Sequence, residues 1–98
     1  MIADLIKNDE SLTIKLEGRL DTPASQELEK TLDGKLEGIK ELIFDLEGLD
    51  YMSSAGLRIL LSAQKKMNGQ GSMKVVHVCD LIMDIFEVTG FSSFLTIE

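Results

Sequence analysis

Residues 41–67 constrain the fold of this chain more than any other stretch. They begin with ELIFDL, a compact apolar run with side chains on both faces of an extended segment, which predicts a central strand covered on both sides. From Ala55 to Met67 the apolar residues follow helical spacing instead, with a polar stripe that includes Arg58. A strand that leads through a short loop into a helix indicates a β-α unit and therefore parallel strand pairing.

Other segments predict further strands. SLTIKLEG alternates apolar and polar residues, the pattern of a strand with one solvent-exposed face, and residues 2–6 are expected to pair with it in antiparallel fashion. The run MKVVHV predicts a later strand, and residues 94–97 a short last one.

Two more helices are predicted. Thr22 and Pro23 indicate a helix start, with Thr22 as the cap and Pro23 at the first helical position, and this helix should end near residues 34–38. Apolar residues between positions 81 and 88 predict another. We therefore expect an α/β fold in one domain, residues 1–98: a mixed, largely parallel β-sheet with an N-terminal antiparallel strand pair and about three to four helices packed over it.

Charge and composition exclude several classes of function. Ten Lys and Arg against seventeen Asp and Glu give a net charge of −7, which disfavours binding to nucleic acid or to an anionic membrane surface. A single cysteine can form neither an intramolecular disulfide nor a cysteine zinc site, and we expect no metal and no cofactor. The N-terminus MIADLIKNDE lacks an apolar core of signal-peptide length, so a cytoplasmic protein is predicted.

The serine pair Ser53-Ser54 stands between the central strand and the helix that follows it. In open α/β sheets ligands gather at this edge, and the first turn of the helix offers free N–H groups and partial positive charge, so a phosphate on Ser54 could be held there. Serines at such positions are commonly no more than helix caps. Hydrolase chemistry is disfavoured because the only histidine, His77, falls in a predicted strand and no G-x-S-x-G elbow is present, and the chain is not expected to be an enzyme.

Three segments carry a resemblance to a known family. EGRLDTPAS, ELIFDLEGLDYMSSAGLRILL and IFEVTGFSSFLTI resemble the STAS domain family, specifically the stand-alone bacterial anti-sigma factor antagonists, and the match runs almost end to end. The resemblance implies a domain that binds an anti-sigma factor serine kinase and so releases a sigma factor. Phosphorylation would turn binding off, and a metal-dependent serine phosphatase would reset it.

The family's phosphoacceptor is the serine two places before the motif glycine, which is Ser54 ahead of Gly56. Ser53 stands where the family commonly has aspartate, so it is an alternative acceptor. The predicted partner-binding residues are Asp21, Met52, Ser53, Ser54, Gly56 and Arg58. Among these, Met52 is expected to be exposed on the binding face, and Asp21 either contacts the kinase, orients the hydroxyl or only starts a helix.

Two other functions remain open at the level of sequence. The domain could be a constitutive adaptor in a lipid-transport or stress-sensing complex without phosphorylation, or it could bind a small molecule at the same edge of the sheet. Outside this edge, His77 is expected to be a strand residue with a local hydrogen bond, and Cys79 a small buried hydrophobic residue.

Overall fold

The computed structural model describes residues 1–98 and contains four strands and three α-helices. The strands are β1 (Ile2–Asn8), β2 (Ser11–Leu20), β3 (Glu41–Met52) and β4 (Ser72–Val76). The helices are α1 (Thr22–Leu32), α2 (Ser54–Asn68) and α3 (Asp80–Thr89), followed by a 3-10 turn at Phe91–Ser93. The sheet order is β1-β2-β3-β4, with β1 and β2 antiparallel and the other pairs parallel, so the predicted α/β fold is confirmed.

One face of the sheet carries the hydrophobic core. The alternating apolar residues of β2 lie in register with those of β3, where Leu12 pairs with Leu42 and Ile14 with Phe44. These side chains are fully or almost fully buried, and all three helices contribute residues to the same cluster. Each such large side chain stabilises the fold by about 1.5–3 kcal/mol relative to leaving it exposed.

The opposite face of the sheet is only partly covered. Thr13, Ile43 and Lys74 lie side by side across β2, β3 and β4, and all three are half-buried. The prediction that β3 is covered on both sides is therefore wrong, because the helices pack against the face that carries Leu42 and Phe44. One apolar residue on the second face, Ile43, is not enough to predict that helices cover that face, since its neighbours there are the polar Thr13 and Lys74.

The pairing of β2 with β3 is interrupted by two irregularities. Register shifts fall between Lys15 and Glu17 and between Gly18 and Arg19, so that β3 has two more residues than β2 over the paired length. Such bulges bend a strand and re-aim its side chains. Here the last pair is Leu20 with Met52, which brings the carboxyl ends of both strands level.

The ends of several elements differ from the predictions. Asp21, not Thr22, caps α1, and this helix ends at Leu32 rather than near residues 34–38, where Gly34 and Gly38 adopt left-handed φ values of 76° and 78° in a series of turns. The predicted last strand is reduced to one bridge between Val75 and Ile97. No helix has the length and apolar character needed to cross a membrane.

Candidate functional site at two helix starts

Helices α1 and α2 begin side by side at one edge of the sheet. Each follows its strand almost directly, and the strands end at the paired residues Leu20 and Met52. The hydrogen bonding between β2 and β3 continues one residue beyond their last pair, because the backbone N–H of Ser53 donates to the carbonyl of Leu20 at 2.8 Å. The fold therefore places the first turns of both helices at the same edge.

Asp21 caps the first of these helices. Its carboxylate accepts a hydrogen bond from the backbone N–H of Ala24 at 3.0 Å, and its carbonyl accepts one from the Ser25 hydroxyl at 2.7 Å. Asp21 is half-buried and its side chain makes no hydrogen bond to Ser53 or Ser54. The helix-start role of Asp21 is thus visible in its geometry, while contact with a partner stays a prediction.

Ser53 caps the second helix with both of its hydrogen-bonding capacities in use. Its Oγ accepts from the backbone N–H of Gly56 at 3.3 Å and lies 3.5 Å from the Oγ of the buried Ser25. Because the Ser25 hydroxyl donates its one proton to the carbonyl of Asp21, the proton between the two serines comes from Ser53. Asp21, Ser25 and Ser53 thus form a short chain of hydrogen bonds that links the two helix starts.

Ser54 occupies the first position of α2 and has a different environment. It is exposed, and its hydroxyl makes no hydrogen bond with any protein group. The N–H groups of a first helical turn have no partner within the helix, and the aligned peptide dipoles give this end partial positive charge. The Ser54 hydroxyl is therefore open to another protein, and a phosphate attached to it would lie close to these donors.

Met52 and Gly56, two of the predicted contact residues, are buried. Met52 is 3% exposed, so the expectation that it lies on an exposed binding face is wrong: it is the last residue of β3 and points into the core. A Cβ atom on Gly56 would lie 2.7 Å from Cδ2 of Leu20 and 3.0 Å from Cγ of Met52. The motif glycine is therefore required by packing, while contact of Met52 or Gly56 with a partner stays a prediction.

Arg58 is exposed one turn further along α2 and lines a groove of about 460 Å³ between α1 and α2. Glu29 and Asp33 of the opposite wall also line this groove, together with Lys66. Lys66 forms an ion pair with Glu37 at 2.7 Å, whereas Arg58 forms none. The sequence did not predict this groove, since its two walls lie about 30 residues apart along the chain.

A second polar cluster lies on the outer face of the sheet, away from the helix starts. His77 follows β4 with a left-handed φ of 57°, and its Nδ1 lies 2.9 Å from Oδ1 of Asp45 and 4.0 Å from Oε2 of Glu47. The expectation that His77 is a strand residue with a local hydrogen bond is wrong, because the residue lies just beyond β4 and its hydrogen-bond partner is Asp45, 32 residues earlier in the chain. Cys79 was expected to be buried and is exposed, because it precedes α3 at the surface.

The His77–Asp45 pair shifts the pKa of both groups. The hydrogen bond and the negative charge of Asp45 raise the pKa of His77 above 6.5. Burial pushes the pKa of Asp45 upward, but the hydrogen bonds from His77 and from the N–H of Glu47, with the charges of His77 and Lys15, outweigh it and leave the pKa below 3.8. The protonated imidazole and the carboxylate thus stabilise each other.

The same three side chains offer one nitrogen and two oxygens close together, a donor set that divalent transition metals accept. Asp45, however, already accepts hydrogen bonds from His77 and from the backbone of Glu47. Lys15 also pairs with Asp45 across the strands and adds positive charge beside it. An ion pair between His77 and Asp45 explains the arrangement without a metal.

Comparison with known proteins agrees with the observed fold. Residues 3–98 match the STAS domain family. A putative anti-sigma factor antagonist of Bordetella bronchiseptica, BtrV, is 33% identical over 89 residues, covering 89% of this chain and 77% of that protein. The anti-sigma-B factor antagonist of Staphylococcus aureus is 29% identical over 92 residues, covering 92% and 85%. The crystal structure of an anti-sigma factor antagonist from Mycobacterium paratuberculosis superposes with a TM-score of 0.87 at 18% identity, covering 98% and 83%.

The fold and the paired helix starts define a small α/β domain with a mixed four-stranded sheet and three helices. The chain belongs to the STAS domain family.

Proposed function

We propose that this chain is an anti-sigma factor antagonist whose binding is switched by phosphorylation of Ser54. The unphosphorylated form captures an anti-sigma factor serine kinase and thereby releases a sigma factor in the cytoplasm. The modified form lets the kinase go, and a metal-dependent serine phosphatase restores it. Two curated relatives that bear the name anti-sigma factor antagonist and align over most of their length support this function.

The observation that carries the choice of acceptor is the contrast between the two serines. The Ser53 hydroxyl accepts from Gly56 and donates to the buried Ser25, so its modification would remove the cap of α2 and break the link to α1. The Ser54 hydroxyl is exposed and unbonded, so its modification disrupts no contact within the fold. We therefore assign Ser54 as the phosphoacceptor.

The switch needs no refolding. A phosphate adds about −1.5 to −2 charge at one point of the surface, which a partner shaped around a neutral hydroxyl must either desolvate or avoid. A loss of about 3 kcal/mol in binding free energy weakens the complex more than a hundredfold. The net charge of −7 on the chain favours a partner with a basic or mixed surface.

The direct test is incubation of the chain with its cognate anti-sigma kinase and Mg-ATP, followed by mass-spectrometric mapping of the modified peptide. We expect one phosphate on Ser54, and none in Ser54→Ala. Thr22→Ala provides a matched control, because Thr22 is the exposed hydroxyl at the corresponding position of α1 and its removal should leave phosphorylation unchanged.

Binding measurements complete the test. Ser54→Ala should hold the kinase as the unmodified protein does and should no longer release it when ATP is added, whereas Thr22→Ala should release it normally. Phosphate on Ser53 in place of Ser54 would refute the assigned acceptor. A Ser54→Ala variant whose partner and regulation are both unchanged would instead identify a constitutive adaptor.

A further inference from the structure

Arg58 and Ser54 lie four residues apart on α2, and both are exposed. Residues at this spacing are neighbours on one face of a helix. Long side chains in helices also lean toward the N-terminus, over the turn that precedes their own Cα. The guanidinium of Arg58 can therefore reach the space beside the Ser54 hydroxyl without any change in the backbone.

Arg58 is also available to a new anion. Lys66, the other cation that lines the groove between α1 and α2, is already paired with Glu37 at 2.7 Å. Arg58 shares the groove with Glu29 and Asp33 but lies in no ion pair with either. An arginine held among carboxylates without a fixed partner is free to exchange them for a stronger anion, and guanidinium binds phosphate through two parallel hydrogen bonds.

We propose that Arg58 is the internal counter-ion of phosphorylated Ser54, an inference that rests on the proposed function for its biological role. The guanidinium donates to two phosphate oxygens and holds the group against the first turn of α2. Phosphorylation then changes two features of the surface together, since it adds negative charge at Ser54 and withdraws the cation of Arg58 from the groove. A partner that used this cation loses it as the phosphate arrives.

The test does not require the kinase. Phosphoserine is installed at position 54 of the full chain by genetic-code expansion, and the second ionisation of the phosphate is followed by ³¹P NMR as a function of pH. A nearby cation favours the dianion, so Arg58→Gln should raise this phosphate pKa by about 0.3 unit or more. Arg58→Lys keeps the charge but loses the planar pair of donors, and it should give a smaller rise.

Lys65→Gln is the matched control. It removes one positive charge from an exposed position of the same helix, about 16 Å from Ser54 along the helix axis, so the pKa of the phosphate should change by less than about 0.1 unit. Equal shifts for Arg58→Gln and Lys65→Gln, or no shift for either, would overturn the pairing. If instead the kinase leaves Ser54 unmodified while the Arg58-specific shift is observed, the proposed function fails and the pairing stands.

Discussion

The starts of α1 and α2 share one capping pattern and differ most in the chemistry of the cap and in the size of the third helical residue. Each has a polar cap that accepts a hydrogen bond from the third helical N–H, and each then exposes a hydroxyl at its first position, Thr22 in α1 and Ser54 in α2. The cap of α1 is the carboxylate of Asp21, whereas the cap of α2 is the neutral hydroxyl of Ser53. A phosphate on Thr22 would be repelled by the carboxylate of Asp21, whereas a phosphate on Ser54 would lie beside the neutral hydroxyl of Ser53.

The third helical position differs for a steric reason. Ala24 occupies this position in α1, where the residue is 9% exposed and its methyl group is accommodated. Gly56 occupies it in α2, where Leu20 and Met52 close over the backbone. The comparison shows that the first turn of α2 packs directly against Leu20 and Met52, whereas the third residue of α1 has room for a methyl group.

Exchanging the residues at the third helical position should have the largest effect on the free energy of unfolding. Gly56→Ala places a methyl 2.7 Å from a fully buried leucine, so we expect a net loss of about 1–3 kcal/mol in the free energy of unfolding from overpacking. The reciprocal Ala24→Gly should cost only about 0.5–1 kcal/mol, through helix propensity. Urea denaturation followed by circular dichroism measures both, and a Gly56→Ala protein as stable as the wild type would refute the steric explanation.

Converting the cap of α2 into that of α1 should have an intermediate effect. Ser53→Asp places a charged cap at the positive end of α2, which contributes about 0.3–1 kcal/mol, but it removes the hydrogen bond that Ser53 donates to Ser25, so the stability of the unmodified protein should change little. The same carboxylate repels a phosphate on Ser54, so phosphoserine at that position should lower the melting temperature more in Ser53→Asp than in the wild type. Differential scanning calorimetry of the four proteins measures this coupling, and an equal change in both backgrounds would contradict it.

The smallest predicted effect is the dependence of stability on pH, which should not change the difference between the two helix starts. Because the pKa of His77 is raised in the folded state, its contribution to stability is complete below 6.5 and is lost as the pH rises through the raised value. Because the pKa of Asp45 is lowered, its contribution is present above 3.8 and is lost as the pH falls through the lowered value. The pair therefore stabilises the fold most between about pH 4 and 6.5.

His77→Gln should remove the alkaline part of this dependence, as measured by the melting temperature between pH 5.5 and 8.5. The outer face that carries His77 is separate from both helix starts, so the difference between the Ser53→Asp protein and the wild type should stay constant over the same range. A difference that varied with pH and lost this variation in His77→Gln would show that the two regions are coupled.

Local patterns in the sequence predicted the elements well. Alternation in β2 and helical spacing in α2 depend on neighbouring residues alone, and both were correctly interpreted. The exposed position of Ser54 at the start of α2 also follows from the order of strand, loop and helix. These are features in which a few adjacent residues contain the whole signal.

Features that depend on contacts across the fold were missed. Met52 and Cys79 were each assigned the wrong exposure, because the direction of a residue at the end of a strand or before a helix is set by tertiary packing. Ser25 was not singled out at all, although its hydroxyl joins the two caps. Its position four residues after Asp21 is compatible with many other roles, so no local signal could have revealed this one.

The two register shifts between β2 and β3 make the chain sensitive to changes in length at this point. Removing one residue there would displace everything after it by about 3.3 Å along the strand and turn its side chains to the opposite face. Leu20 and Met52 would no longer end level, and Ser53 could not reach Ser25. The spacing between residues 15 and 19 and between 45 and 51 therefore holds the two helix starts side by side, and with them the serine that we propose is modified.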